Sequence, residues 1–250
     1  MIDVAREIHG GAGVLFLYGH YFGDKMNFDL AAEMLEEEDQ ITVKTVRVAD
    51  DVASAPRENW QSRRGVAGIF FAYKIAGACA EAMAPLEKVQ QMAEKTVANL
   101  ATMGVALSSC TIPASGKPTF TIEEDEMEIG MGIHGEPGIK RSKLKTSKEI
   151  SEEITHYLIE DLALKPDDEV AVLINGSGST PLEELYIVNR DVHLLLSERK
   201  INIYKTYVGE YATSMDMAGC SVTLLKLDEE LKKYLDAPAE SPFFKQFGEA

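Results

Sequence analysis

A chain of 250 residues with 45% hydrophobic and 26% charged residues has the composition of a globular protein. It is long enough for one large α/β unit or two modest domains. The formal charge of −16 repels phosphate backbones and anionic lipid, so neither nucleic acid nor a membrane is an expected partner. No apolar run reaches bilayer-spanning length, and the opening MIDVAREIHGG is charged where a signal peptide needs an apolar core. With three cysteines (Cys79, Cys110, Cys220) and no CxxC pair, this points to a cytoplasmic protein without a disulfide framework.

In chain order, IDVAREIH is a short helix candidate broken at Gly10-Gly11, and VLFLY follows as a continuous apolar strand. NFDLAAEMLEE carries apolar residues at helical spacing, and ITVKTVRV alternates like the next strand. ADDVASAPRENWQSRRG has no period and is expected to be a long loop. VAGIFFAYKIAGACAEAM predicts a buried helix. Pro85 opens a second, LEKVQQMAEKTVANLATM, expected to end at Gly104 before a strand in VALSS. CTIPASGKPTF is turn-rich, and the stretch through His134 is expected to be extended. After the basic segment KRSKLKTSK come a helix (EISEEITHYLIEDLAL), a strand (EVAVLIN), a glycine-rich loop, a helix (PLEELYIVNRDVHLLLSER) and two strands (INIYKTYVG, CSVTLLKL). Strands alternating with helices predict an α/β fold with mainly parallel or mixed sheets flanked by helices. Two sub-domains are expected, residues 1–145 with the candidate site segments and 146–250.

Four loops carry candidate chemistry. In MEIGMGIHGEPGIK, Gly130, Gly132, Gly135 and Gly138 remove side-chain bulk around His134, and Pro137 stiffens the exit. Glu136, two positions on, makes a poor metal partner. An uncrowded neutral imidazole can add to a carbonyl, and on this segment alone a plain turn histidine fits equally well. In YGHYFGDKMNF, Asp24 follows Gly23 at the carboxyl end of a strand, where α/β folds bind ligands. It can serve as a general base, although a helix N-cap is the better local explanation. INGSGSTPLEELY lacks the lysine of a phosphate loop, and Thr180 as N-cap, Pro181 at the first helical position and Glu183 in a capping box account for it. Lys117, and Arg63-Arg64 in QSRRGVAG, are cations that can meet phosphate or an acidic group, with solvation the plainer reading. Cys79 and Cys220 read as small core residues.

Six stretches occur in one order along nearly the whole chain: GHYFGDKMNFDLAAEM, RRGVAG, CTIPASGKPTF, EMEIGMGIHGEPGI, GSGSTPLEELY and GEYATSMDMAGCSVTLLKLD. Together they resemble the substrate-binding subunit, or K domain, of the dihydroxyacetone kinase family. The resemblance implies that His134, in GIHGEPG, binds a short ketose or aldose such as dihydroxyacetone covalently as a hemiaminal. It also implies that Asp24, in the GD–NF motif, is the base near the phosphorylated hydroxyl, with Gly23 and His20 beside it in the substrate site. No cofactor would be bound by this chain. ATP, or an ADP rephosphorylated by a phosphotransferase relay, would sit with Mg on a separate helical L-type partner, and K subunits pair as homodimers. Two departures stand out. The family's upstream GGGSGHEP-type loop has no counterpart, and the chain begins at Met1 one helix before its first strand, so a truncated or split subunit, or a missing upstream piece, is expected. His20 stands where the family has Asn, which implies a changed substrate preference. The alternatives are a non-catalytic paralogue that senses the same ligand or co-activates, and a fold that binds nothing.

Overall fold

The computed structural model describes residues 1–248. Helix α1 (Ile2–Ile8) leads through glycines into β1 (Val14–Gly19), and α2 (Phe22–Glu38) returns the chain to β2 (Val43–Val48). A 3-10 turn at Arg57–Ser62 precedes α3 (Ile69–Glu81) and α4 (Leu86–Ala98). Next come β3 (Leu100–Ala106), a minimal hairpin of β4 (Thr111–Ile112) and β5 (Lys117–Pro118), then β6 (Glu126–Ile129) and β7 (Lys140–Lys143). The remainder is α5 (Ser147–Asp161), β8 (Glu169–Gly176), α6 (Leu182–Glu198), β9 (Asn202–Gly209), β10 (Gly219–Lys226), α7 (Glu229–Leu235) and the short pair β11 (Ala239–Glu240) and β12 (Lys245–Gln246).

Strands β1 and β2 form a parallel pair of their own, and a six-stranded sheet runs β7-β6-β3-β10-β8-β9. Within it only β8 and β9 are parallel. The class is therefore α/β with mixed sheets, and the inference from unbroken apolar strands to a parallel sheet is corrected for β3, β10 and β8, which pair antiparallel. Their side chains alternate between two buried layers. Ala171, Leu173 and Leu225 face the core of α3, α4 and α7, while Val170, Val172, Ile174, Val222 and Leu224 face α5 and α6. Cover on both faces, not strand direction, writes the continuous apolar pattern. Burying each of these larger side chains contributes about 1.5–3 kcal/mol.

The register of β10 on β3 runs from Gly219–Ala106 to Leu225–Leu100. One sheet thus draws strands from both sides of residue 145. The second expected helix also stops earlier, at Ala98, and Gly104 lies inside β3 instead of ending a helix. A short, wholly buried apolar run has no period with which to separate helix from strand. The β1–β2 pair is buried on both sides. Val14, Phe16 and Tyr18 pack with α1 and α2, and Leu15 and Leu17 lie against the core of α3 and α4.

Candidate active site

The chain between β2 and α3 holds the site together. Asp50, fully buried, accepts from the Val66 amide at 2.8 Å and the Gly68 amide at 2.7 Å, so its carboxylate sits at the start of α3, where the helix dipole favours a negative charge. Burial still pushes its pKa up against those hydrogen bonds. Asp51 beside it accepts from Arg64 Nε at 2.8 Å and from the Ala53 amide at 3.0 Å. Burial raises its pKa to about 6, and the Arg64 charge opposes the rise. Arg64 continues outward, with Nη2 donating to the Gly130 carbonyl at 3.1 Å. Arg63 turns the other way: only 1% exposed, it grips Asp161 on α5 with two bonds of 2.5 and 2.9 Å and donates through Nε to the Ala55 carbonyl. Both arginines are locked in ion pairs, so the solvated reading of this pair is wrong.

Arg64 anchors the loop that carries His134. Gly130 and Gly135 take φ near +81° there, and the Gly135 amide bonds the Gly132 carbonyl at 3.1 Å while the Gly132 amide bonds the Glu136 carbonyl at 3.0 Å. His134 stands on the outside of this tight loop with its ring largely exposed. Glu136 folds back on it, one carboxylate oxygen taking the His134 amide at 3.0 Å and the other facing Nδ1 at 3.2 Å. The carboxylate fills the place a Cβ on Gly132 would need, 2.2 Å from Glu136 Oε2. The glycines therefore serve the loop's own turns and packing, and the imidazole owes its accessibility to its outward position. The Glu136 hydrogen bond raises the His134 pKa, burial works against it, and the Glu136 and Asp24 charges add to the rise.

The first turn of α2 meets this loop from the other side. The helix begins at Phe22 with Tyr21 as N-cap and no side-chain cap, so Asp24 is the third helical residue and the N-cap explanation for it fails. Its carboxylate is exposed and, among the described residues, receives no hydrogen bond from the protein. A Cβ on Gly23 would meet nothing within 4 Å, so packing does not demand that glycine and the space above it is open. The Tyr21 ring lies edge-on to the His134 imidazole at 4.6 Å between centroids, and its hydroxyl donates to the Gly65 carbonyl at 2.8 Å. His20 donates from Nδ1 to the Arg63 carbonyl at 3.0 Å, which leaves Nε2 unprotonated in the neutral ring. His134, Asp24, Gly23 and His20 are thus drawn to one place from segments 110 residues apart (His134 and Asp24).

A profile of the Dak1 domain matches residues 1–243. The chain belongs to the Dak1 family. Among its curated relatives, the dihydroxyacetone-binding subunit DhaK of a phosphotransferase-dependent dihydroxyacetone kinase from Listeria innocua is 49% identical over 97% of this chain and 72% of the relative. A D-erythrulose kinase from Mycolicibacterium smegmatis is 44% identical over 98% of this chain, which spans 42% of that enzyme. Among solved structures, the dihydroxyacetone kinase operon co-activator DhaQ superposes with a TM-score of 0.88 at 32% identity, over 95% of this chain and 73% of that one.

In this Dak1 chain the other loops read as local structure. Thr180 does not cap α6, whose N-cap is Pro181 without a side-chain bond. Its hydroxyl is tied to both the amide and the carbonyl of Gly219 at 2.8 Å. The Glu210 carboxylate lies against Gly176 at the start of the same loop. An acidic group so near the glycine loop repels a phosphate there. Lys117 is exposed on β5. Sequence reading missed Asp50, Asp51, Tyr21 and the contacts of Glu136 with His134. The signal for Glu136 was present, since a carboxylate two residues past a histidine in a glycine loop can reach back to the ring.

Proposed function

We propose that this chain is the ketose-binding part of a dihydroxyacetone-type kinase. His134 adds to the substrate carbonyl and Asp24 serves as base for the hydroxyl that is phosphorylated. The observation that carries the reading is the pairing of an exposed imidazole, one nitrogen engaged by Glu136, with an unpartnered carboxylate near enough to act on the same ring. In the addition, the imidazole nitrogen bonds the carbonyl carbon and a proton ends on the carbonyl oxygen, giving a neutral hemiaminal. Polyols such as glycerol have no electrophilic carbon and are excluded by chemistry rather than fit. A nucleotide with Mg on an L-type partner supplies the phosphoryl group when bound, and this chain holds the acceptor hydroxyl and takes its proton. Gly23 leaves the space for the substrate over α2, and His20 offers Nε2 to it. All three cysteines are free and buried, in keeping with a reducing compartment such as the cytoplasm.

The likeness to the DhaQ co-activator gives the second reading, a ligand sensor without transfer. Dihydroxyacetone labelled with carbon-13 at the carbonyl tests the common part. A protein-dependent tetrahedral carbon signal, lost in His134→Ala, is expected, and its absence from the wild type refutes both readings. Phosphorylation on adding an L-type partner and its phosphoryl donor, abolished by Asp24→Asn while the adduct persists, selects the kinase. An adduct without transfer selects the sensor.

A further inference from the structure

We infer that Glu136 is the positioning residue that fixes which imidazole nitrogen of His134 is the nucleophile, and that it takes the ring proton displaced by the addition. This rests on the reading of His134 as the ketose-binding group. The geometry is a two-point grip. One Glu136 oxygen is occupied by the His134 amide at 3.0 Å and the other faces Nδ1 at 3.2 Å. A carboxylate can only accept, so in the neutral ring the proton must reside on Nδ1, and Nε2 keeps its lone pair. Free imidazole has no such constraint. The grip is itself secured. Arg64 bonds the Gly130 carbonyl at the start of the loop, Asp51 holds Arg64, and Gly132 leaves the room that the carboxylate fills.

The bonds and protons balance. Nε2 gives its lone pair to the carbonyl carbon, and the C=O π pair moves onto oxygen as an alkoxide. The ring is at that point an imidazolium bearing the Nδ1 proton. Transfer of that proton to Glu136, and of one proton from water to the alkoxide, yields the neutral hemiaminal. Glu136 then returns its proton to solvent. Reversal uses the same groups, so release of substrate also depends on Glu136.

Glu136→Gln separates positioning from bulk. With the amide oxygen on the His134 N–H, the amide NH2 faces Nδ1 as a donor. That drives the ring proton onto Nε2 and blocks the nucleophile without changing shape. Glu136→Asp keeps an acceptor-only group and is the conservative rescue. The experiment is nitrogen-15 NMR of histidine-labelled protein without substrate, assigned by His134→Ala, followed by the carbon-13 adduct titration with thermal melts as the folding control. The expected result is a wild-type His134 protonated at Nδ1, inverted in Glu136→Gln at unchanged melting temperature. Adduct affinity should fall tenfold or more in Glu136→Gln, the scale of losing a hydrogen bond to a charged group, with partial recovery in Glu136→Asp. A wild-type ring protonated at Nε2, or a folded Glu136→Gln that forms adduct like wild type, overturns the inference while leaving the ketose reading intact. Absence of any wild-type adduct overturns the ketose reading, whereas the substrate-free tautomer still decides whether Glu136 sets the proton.

Discussion

Replacing Asp161 with Asn removes the charge that holds Arg63 in the interior while keeping the shape of the side chain. Arg63 is 1% exposed, its guanidinium makes both terminal contacts to this one carboxylate, and Arg57 stands 3.4 Å away on the same group. Stripping one partner from a buried pair leaves an uncompensated charge and costs about 3–5 kcal/mol. For a chain of this size, about 2–4 °C per kcal/mol turns that into a melting temperature lower by about 6–20 °C. Arg57→Ala, at the solvent-exposed end, should cost no more than about 1 kcal/mol. The double change Arg63→Met with Asp161→Leu should regain most of the loss, because a packed apolar pair replaces a buried ionic one at little net cost. It should also form the ketose adduct, since Arg63 reaches the site only through its backbone carbonyl to His20. Urea denaturation followed by circular dichroism measures all four proteins. An Asp161→Asn chain within about 1 kcal/mol of wild type would show that the pair is solvated after all and that the argument from burial fails.

Three further outcomes are expected. Gly132→Ala places a methyl 2.2 Å from the Glu136 carboxylate. That flexible side chain can swing away, so stability should hardly change while adduct affinity falls; equal losses in melt and titration would argue against this. Addition needs a neutral ring and the His134 pKa is raised above 6.5, so affinity should decline as pH falls through a midpoint above that value. A titration from pH 5 to 9 with a midpoint at or below the ordinary histidine value contradicts it. Asp51 has a folded pKa of about 6 against 3.8, so the native state holds its proton more tightly and stability from this group drops as pH rises between those values. The shift of 6 − 3.8 units at 1.36 kcal/mol each is about 3 kcal/mol in all, and because the unfolded carboxyl is already more than half ionised at pH 4, Asp51→Asn should gain about 2 kcal/mol on wild type from pH 4 to 7, beyond the fixed cost of the lost Arg64 pair. Denaturation at both pH values checks it, and a constant difference is inconsistent with the raised pKa.

Local pattern carried most of the element order, because helices such as α5 and strands such as β1 and β2 write period and boundary into adjacent residues. Where tertiary cover erased the period, as in Leu100–Ala106, the sequence was ambiguous and the helix was drawn too long. Strand direction in the six-stranded sheet left no trace, since β3 and β10 are buried almost throughout, covered on both faces by helices. At the candidate site, glycines and a strand end singled out His134 and Asp24 as candidates, while Gly23 and His20 entered only through the family resemblance. Asp50, Asp51 and Arg63 were not. Their partners are Val66 and Gly68, Arg64, and Asp161, and nothing in a run such as ADD or RR says that a charge is interior until the groups that compensate it are known.

The segment from Arg63 to Gly65 joins the two halves of the proposed chemistry. The Arg63 carbonyl fixes His20, the Gly65 carbonyl takes the Tyr21 hydroxyl, and the Arg64 side chain carries the His134 loop. On the proposed reading, the hydroxyl end and the carbonyl end of a ketose would therefore be registered against each other through three consecutive residues. Gly65 shows how little slack this has, since a Cβ there would lie 2.5 Å from both the Gly19 Cα and the Val48 carbonyl. Neither neighbour is a side chain that can rotate away, so Gly65→Ala must push β1 and β2 off the segment. Overpacking of this kind costs about 1–3 kcal/mol, and it displaces Tyr21 and His20 together. The variant should therefore lose stability, adduct formation and phosphoryl transfer at once, whereas Gly132→Ala loses the adduct alone. A Gly65→Ala protein with a wild-type melt and undiminished adduct would show that the two halves are positioned independently, and that the Arg63–Gly65 segment is only a connection.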